Sequence, residues 1–220
     1  MNVWAGRLFF ERLWSLRWES PIRHHAHTPT RDHAHTQMKE PIDIDEARAD
    51  DPESLREALV DQFGHLVDEV TALSTVVDGL PDEILEGRPE PGALTMKELY
   101  GALATLDTEV RRVRVNRVVE EDAPTLDPVD IEAEVRESGW NEHDIGAILD
   151  RVTEARRELT DQLEALSLDA WHRPATLEGE TIRLFELVYR MTQDDIERLR
   201  TLGYRLHGAH LSDRDEPLPT

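Results

Sequence analysis

The chain has 220 residues, 39% hydrophobic and only 5% aromatic, with 47 acidic against 25 basic side chains. That length suits one domain with one core, and the net charge of −22 repels phosphate backbones and anionic bilayers, which excludes nucleic acid and membrane surfaces as partners. The absence of cysteine removes disulfides, thiolate metal sites and cysteine nucleophiles.

Residues 1–37 stand apart. They carry five Arg against Glu11, Glu19 and Asp32, so the acidic excess lies in residues 38–220. The stretch 1–20 is interrupted by Arg7, Glu11, Arg12 and Arg17, which is unlike a signal-peptide core, and no apolar run reaches membrane-spanning length. A cytoplasmic location is therefore the expectation. His24, His25, His27, His33 and His35 form a tract that can chelate a soft metal, but their spacing fixes no geometry. Met38 is the expected start of the protein proper, with 1–37 an extension outside the fold. The acidity of the body, with Lys39 and Lys97 its only lysines, matches a surface adapted to high salt, where screening removes self-repulsion.

After a flexible acidic lead over 38–53, Leu55, Leu59, Leu66, Val70, Leu73 and Val77 recur at helical spacing, with Pro52 and Ser54 at the start and Gly79 and Pro81 at the end. The stretch 81–92 reads as a loop. Thr95 and Glu98 form a capping box that opens a second helix, presenting Leu99, Leu103, Leu106, Val110 and Val113 and running to about Val119. Pro124 and Pro128 stop it, and a long connection with one short helix near 129–137 follows. A connection of that length carries the chain across to a parallel neighbour, so helices two and three are expected to be parallel.

Asn141 and Asp144 mark the start of a third helix lined by Ile145, Ile148, Leu149, Val152, Leu159, Leu163 and Leu166. The stretch 167–180 reads as a loop with one helical turn, and a fourth helix begins near Thr181. Its stripe is Leu184, Leu187, Val188, Met191, Leu199 and Leu202. Asp195 and Arg198 fall inside that stripe and Asp194 at its margin, at spacings that allow a carboxylate–guanidinium pair. The predicted class is all-α: a four-helix bundle over 54–203 with a long crossover between helices two and three, and a tail over 204–220.

The order of "TMKELYGALATLDTEV", "WNEHDIGAILDRV" and "LEALSLDAWHRPATLEGETIRLFELVYRMTQDDIERL" resembles the DinB-like bundle superfamily, relatives of bacillithiol and mycothiol-dependent transferases, over about residues 54–202. That family commonly holds a metal with three histidines, one in the second helix and two spaced four apart in the fourth. The resemblance puts those positions at Ala102, Asp194 and Arg198, so all three ligands are replaced. Alanine offers no donor and a guanidinium repels a metal. Asp107 and Asp195 are nearby carboxylates, but a cluster of carboxylates beside Arg198 is a poor zinc site. Metal: none is therefore the expectation, and no cofactor.

Three other histidines read as local structure: His65 on a helix margin, His143 in the first turn of helix three, and His172 beside Trp171. The basic run 111–117 reads as helix-surface ion pairs with Glu109, Glu120 and Glu121. The candidate pocket comprises Ala102, Asp107, Asp194, Asp195 and Arg198, serving a binding or interaction module of unknown ligand. The alternative is a thiol-transferase or hydrolase working with a remodelled pocket. The resemblance further implies a homodimer.

Overall fold

The structure, a computed structural model, describes residues 51–212. The 1–37 extension with its histidine tract, most of the acidic lead and the last eight residues lie outside them. The first long helix, α1, spans Pro52–Val77, and the four-residue α2 spans Asp82–Leu85. The second long helix is continuous but changes pitch: α3 (Met96–Thr105), a π-helical segment (Leu106–Arg111) and α4 (Arg112–Glu120). The connection that follows carries β1 (Thr125–Leu126), α5 (Ile131–Glu137) and one 3-10 turn (Trp140–Glu142). The third long helix is α6 (Ile145–Glu164), followed by α7 (Leu168–Trp171), β2 (Pro174–Leu177), β3 (Glu180–Arg183) and the last long helix, α8 (Leu184–Ser212).

The protein is a predominantly helical four-helix bundle, and cross-helix bonds give the directions of its helices. Arg156 meets Asp107, Arg112 meets Glu158, and Gln162 meets Asn116, so residue numbers rise together along the second and third helices, which are parallel. Arg56 on α1 donates to the Leu166 carbonyl while Phe63 lies under Arg156, so α1 is antiparallel to α6. Arg111 reaches Met191 and Asp194, whereas Glu98 lies within electrostatic reach of Arg205, so α8 is antiparallel to α3. The parallel pair is what the long crossover makes possible.

A small sheet, in the order β1-β2-β3, caps the end where the second and third helices both finish. β1 pairs parallel with β2, as two chains leaving parallel helices in one direction can, and β2 pairs antiparallel with β3. This hairpin replaces the loop expected over 167–180 and moves the start of the last helix from Thr181 to Leu184. Its two-residue turn puts Glu178 at φ 53° and Gly179 at φ 81°. Those are the left-handed conformations a hairpin turn of matching twist needs, and Glu-Gly is a weaker signal for them than Asn-Gly. α8 continues past residue 203, through the first part of the expected tail, to Ser212.

The core follows the expected stripes, with Leu166 and Leu199 only half-buried and a slip in the second long helix. Leu55, Leu59, Leu66, Val70, Leu73 and Val77 of α1 are buried, as are Leu99, Leu103, Leu106 and Val110. Val113 is instead 46% exposed, and Val115 and Val118 take the core positions after it. The π-helical turn is the cause: its wider loop of hydrogen bonds adds a residue and rotates everything after it out of the α-helical register.

Gly101 fixes how the crossover sits on α3. A Cβ built there would lie 2.4 Å from atoms of the buried Trp140 indole, whose other neighbours are Arg151, 5.3 Å over the ring, and His143 at 5.8 Å between centroids. Gly101→Ala is expected to cost about 1–3 kcal/mol through overpacking, against the gain of about 1 kcal/mol that helix propensity alone would give. Gly64→Ala, with nothing within 4 Å of the added Cβ, should stabilise by up to about 1 kcal/mol. Urea unfolding of the two variants checks the opposite signs.

Candidate functional site

The charges on the last helix belong to a network that draws on three of the four long helices. Asp107 is fully buried in the π-helical segment, and Arg156 of α6 grips it side-on, Nε to Oδ2 at 2.7 Å and Nη2 to Oδ1 at 3.2 Å. Arg156 Nη1 donates to Asp195 Oδ2 at 2.7 Å. Arg111 Nη1 donates to Asp107 Oδ1 at 2.8 Å and lies 2.7 Å from Asp195 Oδ1, an ion pair too poorly angled to count as a hydrogen bond. Arg111 Nη2 donates to the Met191 carbonyl at 3.1 Å and to Asp194 Oδ2 at 3.0 Å. Arg198 Nε donates to the same Asp194 oxygen at 3.1 Å.

Three carboxylates thus meet three guanidinium groups, and the buried inner four, Asp107, Asp195, Arg111 and Arg156, cancel among themselves. Phe63 of α1 lies against the two buried guanidiniums, with its ring centroid 4.6 Å from Arg156 and 5.9 Å from Arg111. An aromatic face over a desolvated cation is attractive, and it closes the fourth side. Burial pushes the Asp195 carboxyl up, but Arg111 and Arg156 outweigh it and hold the group below the usual carboxylate range. Burial likewise pushes the Arg111 guanidinium down, and Asp195, Asp107 and Asp194 more than reverse that.

The candidate residues are only partly gathered here. Asp107, Asp194, Asp195 and Arg198 share the network, whereas Ala102 is buried on α3 before the π-helical turn and brings no polar atom. Asp194 pairs with Arg198 as the spacing allows, but Asp195 pairs with Arg111 and Arg156 instead. The basic run 111–117 divides: Arg117 pairs with Glu121 on the helix surface, Arg112 reaches across to Glu158, and Arg111 is buried. Arg111 and Arg156 are the two site residues the sequence reading missed. Arg156 stands three before Leu159, four after Val152 and seven before Leu163, inside an apolar stripe, and that misfit is the signal that identifies it.

A second polar cluster forms where α3 begins. Thr95 and Glu98 make the expected capping box, and Arg88 chelates the Glu98 carboxylate at 2.6 and 2.8 Å. Asn141 is not the cap of α6, a role Asp144 takes; it bonds Thr95 at 2.7 Å and Glu98 at 2.9 Å instead. Lys97, 5% exposed, pairs with Glu86 at 2.7 Å. His65, His143 and His172 are exposed, with His143 against Trp140 and His172 against Phe185. Among the described residues no group of three or more His, Asp or Glu is arranged to hold a metal ion, and no helix is long and apolar enough to cross a membrane.

The model of the DinB superfamily matches residues 65–202. Among solved structures, YfiT from Bacillus subtilis, described as a probable metal-dependent hydrolase with an unusual four-helix bundle topology, superposes with a TM-score of 0.58. The alignment covers 78% of this chain and 93% of YfiT at 16% identity, a likeness of fold. No curated protein matches the chain.

The network predicts a graded response to mutation. Arg156→Met leaves the buried Asp107 and Asp195 to share the single guanidinium of Arg111 and is expected to cost about 3–5 kcal/mol, whereas Arg198→Gln, at the solvated rim, should cost under about 1 kcal/mol in denaturant titrations. Because the folded Asp195 binds its proton less readily than the unfolded one, its stabilisation is complete above about pH 4 and is lost as pH falls through the lower folded value. Stability measured from pH 6 downward should therefore fall less steeply in Asp195→Asn than in the parent.

Proposed function

The chain belongs to the DinB superfamily, and on that premise we propose that it is a binding or interaction module in which ion pairs close the position of the family's metal. The observation that carries this reading is the double use of Asp194 Oδ2, which accepts from Arg111 at 3.0 Å and from Arg198 at 3.1 Å. The resemblance makes Asp194 one of the three ligand positions. Here its carboxylate carries two permanent cations, while the other two positions are an alanine and one of those cations. A divalent ion would have to displace both guanidinium groups and would then find one carboxylate, too few donors for zinc, magnesium or calcium.

The same chemistry weighs against the catalytic alternative. A general base needs a lone pair that a substrate proton can reach, and Asp107 and Asp195 are enclosed and ion-paired to Arg111 and Arg156. Asp194, 39% exposed, is the one carboxylate of the network with access to solvent, so a hydrolase or thiol-transferase of remodelled design would have to work through it and Arg198. If Asp194→Ala and Arg198→Ala leave turnover of an identified substrate unchanged, that alternative fails. The resemblance supports a homodimer and the sequence a cytoplasmic location, and sedimentation at high protein concentration and high salt should return twice the chain mass.

Metal analysis tests the main reading. The full chain with His24, His25, His27, His33 and His35 replaced by Ala, which removes the other chelating tract, is expected to emerge from incubation with zinc, nickel or manganese without stoichiometric metal. Tight uptake of one metal per chain, abolished by Asp194→Ala, would overturn it.

A further inference from the structure

Two arginines on α8 hold guanidinium edges that no carboxylate of the described residues covers. Arg198 uses only Nε, on Asp194, and among the described residues its two Nη atoms make no hydrogen bond, although the side chain is only 20% exposed. Arg205 buries Nη1 with no hydrogen-bond partner among the described residues. Burial pushes the Arg205 guanidinium down, Glu98 and Glu90 oppose that from a distance, and Arg88 adds to it. Glu98 is not free to serve Arg205, because its oxygens are taken by Arg88, the Thr95 amide and Asn141. In a chain with 47 acidic residues, an arginine without a carboxylate is not explained by a shortage of acids. A buried donor left without an acceptor costs free energy, so Arg205 Nη1 calls for an acceptor, whether water or ligand, whereas the Arg198 Nη atoms face solvent at the rim and are open to one.

The two edges are related by the helix. Residues seven apart come back to one face of an α-helix, displaced by roughly 10 Å along the axis. Antiparallel packing sets Arg205 at the level of Glu98 and the network of Asp194 at the level of Arg111, so Ala102 stands on α3 between those two levels. One end is the neutral ion-pair network and the other the capping cluster, and each already satisfies its own carboxylates. What remains without a protein acceptor among the described residues is the Arg198 Nη edge and Arg205 Nη1, on one face.

We propose that Arg198 and Arg205 together bind a small linear dicarboxylate along this face of α8, one carboxylate on each guanidinium. A guanidinium fork accepts a carboxylate by two parallel hydrogen bonds, which gives each end both energy and direction. The proposal rests on the non-metal reading and names the ligand class of that binding module. A monoanion meets one arginine only, so length and double charge are what this face selects. The long-range repulsion from the acidic surface is screened at high salt, where the Debye length shrinks to about 3 Å, while hydrogen bonds at a partly buried face persist.

Calorimetric titration of the full chain at fixed ionic strength with succinate, glutarate and adipate tests it, with acetate and inorganic phosphate as single-headed probes. At least one dicarboxylate should bind saturably and raise the melting temperature, and Arg198→Gln and Arg205→Gln should each weaken it by about tenfold or more, the loss of one charge-assisted pair. Arg200→Gln, an exposed arginine on the same helix, should leave the affinity unchanged. Arg198→Lys and Arg205→Lys, which keep the charge and the fold but lose the fork, should fall between. Binding that acetate or phosphate matches, binding indifferent to Arg198→Gln or Arg205→Gln, or no saturation into the tens of millimolar overturns the proposal. Metal analysis separates the two readings: a chain that takes up neither metal nor dicarboxylate sinks only this one.

Discussion

The bundle depends on burying charge without leaving any of it unpaired. Asp107 and Arg156 are fully enclosed, and Arg111 and Asp195 nearly so. Taking each ion out of water costs several kcal/mol, which only close, well-directed partners return. Four ions in one place meet that condition because each arginine bridges two aspartates and each aspartate is ion-paired to two arginines. The arrangement needs the second, third and fourth long helices at fixed relative heights, since a shift of one turn would break more than one bond at once. An apolar contact tolerates such a shift far better. The network is thus a weak source of net stability and a strong source of register.

The π-helical turn belongs to the same constraint. Asp107 and Arg111 are four apart and both buried within it, and they bond to each other as well as to the facing helices. A regular α-helix would carry Val113 into the core, as the apolar spacing alone implies, and the wider turn brings Val115 and Val118 there instead. The side chains at the ionic centre and the register of the helix beyond it are therefore set by one local feature. Such turns recur at functional sites, and this one lies in the helix that the family resemblance makes the carrier of the first metal ligand.

What could be read from the sequence follows from the range of each interaction. The four long helices, the capping box at Thr95 and the parallel crossover rest on spacings within a few residues or on the length of a connection, so they were legible. The pairing of Asp194 with Arg198 is of the same local kind. The partners of Asp195 lie 84 and 39 positions away, at Arg111 and Arg156, and no local pattern joins them. Arg156 was nonetheless visible as a charge inside an apolar stripe, and Asp107, between Leu103 and Val110, as another. Opposite charges in the stripes of different helices are a stronger signal than either alone, because a shared core forces them together. The hairpin at Glu178-Gly179 was missed for a different reason: its turn residues are a poor version of the pattern, and its first strand is held by pairing with β1, some fifty residues earlier.

The network also bears on what the family scaffold does in this chain. A metal held by three neutral histidines brings two positive charges to the bundle interior and leaves them exposed to a substrate. Arg111 and Arg198 bring positive charge to the same carboxylate, Asp194, but as groups that neither exchange ligands nor polarise a bound water as a metal does. On the proposed non-metal reading, Lewis-acid chemistry gives way at that point to attraction for an anion wherever a guanidinium edge stays uncovered. The outer rim, with Asp194 at 39% and Arg198 at 20% exposure, is where an anion can approach without disturbing the buried pairs that fix the helices.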